Sequence, residues 1–204
     1  MTTLVLARHG RTAWHSPNRY AGRSDIPLDD HGLRQAEALA SWAKTQDFTG
    51  LACSTLQRAQ ATIAPTAALL NRTPVVDKRL RELDFGIAEG KTLDEVREVD
   101  AAAVERFVAD PVAGHFPGGE DPRDAVTRTL TALTDLAEGQ EKLLVVAHNT
   151  LLRLVTCAVL GVPLSEYRRR LPELDPAATV TFRLTGDQYA LLAYNVPLAA
   201  GWSA

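Results

Sequence analysis

Cysteine is scarce in this 204-residue chain: only Cys53 and Cys157 occur, far apart and each inside an apolar segment. That placement excludes a disulfide framework and reads as two buried, reduced thiols. Basic excess is also missing, because 22 Lys and Arg against 25 Asp and Glu leave a formal net charge of −3. A chain so balanced has no polybasic footprint for nucleic acid or for an anionic membrane, so any anion must be held by a local arrangement of arginines. No apolar run is long enough to cross a bilayer. Met1-Thr-Thr-Leu4 passes straight into a strand-like segment without a basic leader region, which makes the cytoplasm the expected location. The five histidines show no His-x-x-x-His or similarly clustered spacing, so no metal and no cofactor are expected. Repeats and low-complexity linkers are absent as well.

What is present is an alternation of element types, the signature of an α/β fold. Strand-like runs fall at Leu4–Ala7, Leu51–Cys53, Pro74–Val76 and Leu143–Ala147, and a hairpin joins Thr179–Leu184 to Tyr189–Tyr194 through Thr-Gly-Asp. Helical patterns cover Gly32–Lys44 behind Asp29 and Asp30 as caps, Leu56–Leu70, Asp124–Ala137 and Thr150–Leu160. Pro65 is expected to kink or divide the second of these. Residues 84–122, richer in Gly, Pro and charge, carry two shorter helical patterns at Leu93–Val99 and Ala101–Val108. They read as an excursion over one end of the sheet, where specificity commonly resides. One domain spanning residues 1–204 is expected.

Chemistry enters where strands stop. Thr3-Leu-Val-Leu-Ala-Arg-His-Gly10 is an apolar strand that ends in Arg8 and His9, and Lys142-Leu-Leu-Val-Val-Ala-His-Asn149 repeats the arrangement with His148. Residues just past the carboxyl ends of parallel strands line the ligand crevice of an open sheet, so neighbouring first and fourth core strands would bring both imidazoles into one pocket. Arg58 falls in the first turn of the helix after Ser54, where free N–H groups already favour an anion. Two guanidinium forks and two imidazoles form a cationic cup suited to a phosphoryl group.

These residues belong to an ordered set: Arg8-His9-Gly10-x-Thr12, Ser54-x-Leu56-x-Arg58-Ala59, Arg79-Leu-x-Glu82 followed by Phe85-Gly86 and Glu89-Gly90, and the late strand ending at His148. In that set the chain resembles the histidine phosphatase superfamily, the phosphoglycerate mutase-like enzymes, over residues 3–196. The resemblance implies a three-layer α/β/α sandwich with a mostly parallel sheet of about six strands. It also implies a phosphohistidine intermediate on His9, with Arg8, Arg58 and His148 holding the phosphoryl oxygens and Glu82 as proton donor to the leaving group and later base for water. Thr12, His15, Gly22 and Asn149 are the further residues expected around the substrate. Arg11 stands where many relatives have glutamate, His15 where many have a phosphate-binding asparagine, and Asn149 where glycine is usual.

A phosphatase acting on a small phosphorylated metabolite is favoured. The middle region is short, and Asp110–Glu120 resembles the Pro-Gly-Gly-Glu segment of small phosphatases rather than the longer basic insertion of classical mutases. A mutase sharing the intermediate, and a non-catalytic phosphate-binding protein on the same frame, are the alternatives; a homodimer is left open. His31, His115 and Arg168–Arg170 are expected on the surface, and Trp14, Trp42 and Trp202 as packing or rim aromatics.

Overall fold

Strands covered on both faces need apolar residues at every position, and a computed structural model, which describes residues 1–198, puts the two longest apolar runs in that situation. The elements in order are β1 (Thr2–Arg8), α1 (Asp30–Ala43), β2 (Gly50–Ser54), α2 (Gln57–Leu70), β3 (Val75–Asp77), α3 (Leu93–Val99), α4 (Ala101–Ala109), α5 (Pro122–Ala137), β4 (Lys142–Ala147), α6 (Asn149–Val159), α7 (Tyr167–Arg170), β5 (Thr179–Thr185) and β6 (Gln188–Val196). One six-stranded sheet runs in the order β3-β2-β4-β1-β5-β6. β1, β4, β2 and β3 are mutually parallel, while β5 and β6 are antiparallel additions at one edge.

Alternation of side chains across the strands sorts the core into two clusters. Leu4, Leu6, Val145 and Ala147 pack with Ala125 and Leu133 of α5 and with Leu151 and Val155 of α6. Val5, Ala7, Leu144 and Val146 face Leu39 and Ala43 of α1 and Ala59 and Ile63 of α2. The result is an α/β/α sandwich with β1 and β4 at its centre. Both cysteines are buried and unbridged, and burial pushes the Cys53 thiol up to about 11. No helix among the described residues is long and apolar enough to cross a membrane.

Several local expectations change. Pro65 neither ends nor divides α2, which runs unbroken from Gln57 to Leu70. A mid-helix proline removes one backbone bond, and here the buried flank of Thr62, Ile63 and Thr66 holds the helix across the gap. α5 begins two residues early, at Pro122, because Asp121 caps it and proline suits the first helical position. His31 and His115 are half-buried rather than on the surface; His115 Nδ1 bonds the Val112 carbonyl at 2.9 Å. α7 went unforeseen, since four residues give no periodicity. Arg168–Arg170 are exposed as expected, Arg169 and Arg170 pairing with Glu166, but Arg168 instead stacks over the Phe107 ring. Trp42 packs on Phe48, and Trp202 lies outside the described residues.

The excursion over residues 84–122 is anchored by an aromatic cluster. Tyr20 meets Phe85 and Phe116 with ring centres 5.0 and 5.3 Å away, and Phe107 stacks on Phe116 at 4.2 Å. Gly86 secures its entry: φ is +53°, and a β-carbon there would stand 2.2 Å from the Pro117 carbonyl. Only glycine fits that turn.

Candidate active site

β1 and β4 pair in register Arg8 to Ala147, and His9 N–H donates to the Ala147 carbonyl at 3.0 Å. Two strands that end side by side deliver their next residues to the same place. The rings of His9 and His148 therefore lie 5.2 Å apart, both buried. They sit beside a cavity of about 360 Å³ whose wall includes Arg8, His9, Thr12, His15, Glu82 and Asn149.

The tautomer of His9 follows from one hydrogen bond. Its Nδ1 lies 2.7 Å from the Gly10 carbonyl, which can only accept, so Nδ1 carries the proton and Nε2 keeps its lone pair. Burial, then the charges of Arg58, His148 and Arg8, holds the His9 pKa well below the ordinary imidazole value. His148 is held down in the same way by burial and by Arg58. Both rings are neutral at working pH.

The arginines are clamped at their tips. Arg8 donates from Nη1 to the Leu174 carbonyl at 2.6 Å and from Nη2 to His15 Nε2 at 2.5 Å, while its buried Nε has no partner in the protein. Arg58, fully buried, donates to the carbonyls of Ser24, Ala21 and Gly22 at 2.8, 2.9 and 3.1 Å, and its Nε is likewise without a partner. Both ring nitrogens of His148 are buried and unpartnered too. Burial lowers Arg8 to about 10, which leaves it protonated at neutral pH.

Glu82 occupies an unexpected position. α6 has no side-chain cap of its own, and Glu82 supplies one from another segment: its carboxylate accepts the N–H groups of Thr150, Leu151 and its own neighbour Leu83 at 3.0, 2.9 and 3.1 Å. Burial raises its pKa while these three donors pull the other way, and the net direction is upward. The upward shift favours the protonated form relative to an exposed carboxyl.

His15 lies on the cavity wall beside Arg8. His15 meets a donor at each ring nitrogen, Arg8 Nη2 at Nε2 and the Thr12 N–H at Nδ1, 3.0 Å away. Burial and the neighbouring Arg8 charge lower this imidazole to about 3. Asn149 lies on the cavity wall with a buried, unpartnered Oδ1. Gly22 is absent from that wall. Its N–H donates to Glu89 Oε1 at 2.9 Å, and a β-carbon would stand 2.2 Å from the Leu83 carbonyl, so it serves the loop that Arg58 grips. Arg58 and His148 are not on the wall either; they back it.

Sequence reasoning missed Tyr20, Arg153, Tyr167 and Arg168, all of which line the cavity. A signal for Arg153 existed: Asn149, Thr150 and Arg153 fall at helical spacing on one face of α6. Among the described residues, no three His, Cys, Asp or Glu side chains gather as a metal-holding group.

Residues 4–197 match the family described as "Histidine phosphatase superfamily (branch 1)", and the chain belongs to that family. A curated relative, the probable phosphoglycerate mutase GpmB of Cronobacter sakazakii, is 36% identical over 172 residues, covering 83% of this chain and 80% of the relative. Its counterpart in Escherichia coli O1:K1 / APEC is 33% identical over the same shares. Among solved structures, YhfR of Bacillus stearothermophilus superposes with a TM-score of 0.88 at 28% identity, over 96% of this chain and 98% of that one. A mycobacterial glucosyl-3-phosphoglycerate phosphatase in complex with VO3 shares the fold with a TM-score of 0.84 at 24% identity, over 96% of this chain and 100% of that one.

Proposed function

We propose that the protein is a phosphomonoesterase working through a phosphohistidine on His9, without metal or cofactor, on a small phosphorylated metabolite. The observation that carries this reading is the meeting of one free imidazole lone pair with donors that have no protein partner. His9 Nε2 is the nucleophile; Arg8 lies on the same wall, and Arg58 Nε and the His148 ring are unpartnered polar groups buried behind it. A buried donor without an acceptor is costly, and the equatorial oxygens of a transferring phosphoryl group supply acceptors.

In the first step Nε2 bonds to phosphorus as the P–O ester bond breaks, and the departing alkoxide takes the proton of Glu82. In the second, water attacks phosphorus, Glu82 accepts its proton, and the P–N bond breaks to free inorganic phosphate and neutral His9. Alignment and fixed positive charge supply most of the rate, as phosphoryl transfer requires.

The test is rapid quenching of enzyme mixed with phosphate-labelled substrate. Label on the protein that is lost in acid, kept in base and absent from His9→Ala supports the mechanism; label that survives acid, or remains in His9→Ala, overturns it. The likeness to probable phosphoglycerate mutases favours a second reading, in which the phosphoryl group passes to another hydroxyl. A stable wild-type phosphoenzyme that phosphorylates an added alcohol faster than water would establish that mutase instead.

A further inference from the structure

A proton donor works only when its carboxyl is held within hydrogen-bond reach of the atom it serves, so the main chain beneath it has to be fixed. Glu82 stands on residues 81–85, which belong to no helix or strand. α5 supplies the support that a regular element would give. Arg128 Nη1 donates to the Arg79 carbonyl at 2.6 Å and Nη2 to the Glu82 carbonyl at 3.4 Å, and Thr129 Oγ1 adds a second bond to the Arg79 carbonyl at 3.2 Å. One helix thereby grips the chain on both sides of Leu80 and Arg81.

Arg128 is aimed in turn by Glu120. Its Nε donates to Oε1 at 2.7 Å and its Nη2 to Oε2 at 2.8 Å, the two parallel bonds of a guanidinium–carboxylate fork. The two side chains are 22% and 24% exposed, so solvent screens this pair less than a surface one. Glu120 is tied to the same stretch of chain: its N–H donates to the Asp84 carbonyl at 2.9 Å, and a β-carbon on Gly119 would stand 2.7 Å from that carbonyl. Pro117-Gly-Gly-Glu120 therefore lies against the residues that carry Glu82. Neither Arg128 nor Glu120 is on the cavity wall, so neither is placed to touch the substrate.

We propose that Glu120 and Arg128 are a positioning pair for the proton donor: they set the main chain on which the Glu82 carboxyl stands, and with it the protonation of the leaving alcohol. This rests on the phosphomonoesterase reading above, in which Glu82 gives that proton. An alkoxide is a poor leaving group and needs the proton, whereas p-nitrophenolate departs with little help, so a displaced Glu82 penalises alkyl esters selectively. An effect through His148, whose pKa is lowered by burial, by Arg58 and then by the Arg128 charge, would instead slow both esters alike, because His148 serves the phosphoryl group they share.

The test is the ratio of kcat/KM for propyl phosphate to that for p-nitrophenyl phosphate, a quantity that reports the step in which the alcohol leaves. Wild type, Glu120→Ala, Arg128→Gln, Glu82→Gln and the double variant Glu82→Gln/Glu120→Ala are assayed. In Glu120→Ala and Arg128→Gln the ratio should fall by about tenfold, less than the full contribution of a general acid because the carboxyl is displaced rather than removed. Glu82→Gln should lower it further, and adding Glu120→Ala to Glu82→Gln should change it no more, as expected for residues that act through one another. A ratio kept in Glu120→Ala and Arg128→Gln, or lowered in the double variant by the same factor again, overturns the proposal. Should Arg128→Gln fail to fold because it releases the Arg79 and Glu82 carbonyls, Glu120→Ala decides by the same ratio. If Glu82→Gln itself leaves the ratio unchanged, the proton-donor assignment falls and the role of the pair with it; if Glu82→Gln lowers the ratio and the other two do not, the pair alone is overturned.

Discussion

At the scale of single residues, Arg58 does two tasks with one planar group. Its terminal nitrogens hold the carbonyls of Ala21, Gly22 and Ser24, and its buried Nε, without a protein partner, is the atom that the proposed mechanism turns to the phosphoryl group. A lysine ammonium cannot do both, so Arg58→Lys should lower kcat by about a hundredfold although the charge is kept, the scale of a lost transition-state donor. Steady-state kinetics with p-nitrophenyl phosphate would reveal it, and near-normal kcat would remove Arg58 from the chemistry. Glu82 caps α6, and the proposed mechanism also has it move a proton. Glu82→Gln should still accept phosphate on His9 from an ester with a good leaving group, but should release it slowly. Phosphoenzyme is then expected to accumulate above the wild-type level in the quench assay; an unchanged level would assign the second proton transfer elsewhere.

At the scale of elements, the segment from Trp14 to Ala21 and the stretch from the N-terminus of α6 to Pro172 supply most of the cavity wall, and the excursion over residues 84–122 reaches it through Phe85. The excursion turns at Gly86, where φ is positive and Pro117 crowds the missing side chain. Gly86→Ala should cost at least about 1 kcal/mol, the range for an alanine forced into a left-handed turn, and should raise KM because Phe85 lines the cavity. Urea denaturation and KM for p-nitrophenyl phosphate check both; an unchanged denaturation midpoint would mean the turn relaxes. Most elements were legible because their patterns are strong. The apolar runs of β1 and β4, the Asp29 cap that accepts the Gly32 N–H at 2.8 Å, and the hairpin turn all announce themselves locally. Those that were not legible, the continuity of α2 through Pro65 and the short α7, depend on packing that no local window contains.

At the scale of the whole molecule, three imidazoles of depressed pKa, the buried His9 and His148 and the half-buried His15, make stability depend on pH. Unfolding exposes them, and their pKa returns to about 6.5, so below that pH the unfolded chain binds more protons than the folded one. Their contribution is fully present above pH 6.5 and is lost as the pH falls, by up to about 1.4 kcal/mol per pH unit for each imidazole. Glu82, raised by burial, has the opposite sign and at most one proton to set against three. The urea midpoint should therefore drop clearly between pH 7.5 and 5.5, and drop less in His148→Asn. A midpoint that stays flat over that interval would show that the imidazoles are charged in the folded state.

The sequence by itself determined the layers, the strand ends and the motif order of Arg8-His9, Arg58, Glu82 and His148, because hydrophobic period and motif order are properties of the chain read locally. Tertiary structure alone decided which atoms of those residues are available. The Nε of Arg8 and of Arg58 remain because distant carbonyls at Leu174 and at Ala21 to Ser24 take the other nitrogens, and Glu82 reaches α6 across 68 positions of sequence. The pairing of Arg128 with Glu120 was decided in the same way. An arginine on an amphipathic helix is ordinary in sequence, and only folding shows whether a carboxylate comes to meet it, since burial and pairing depend on neighbours that the local pattern does not specify.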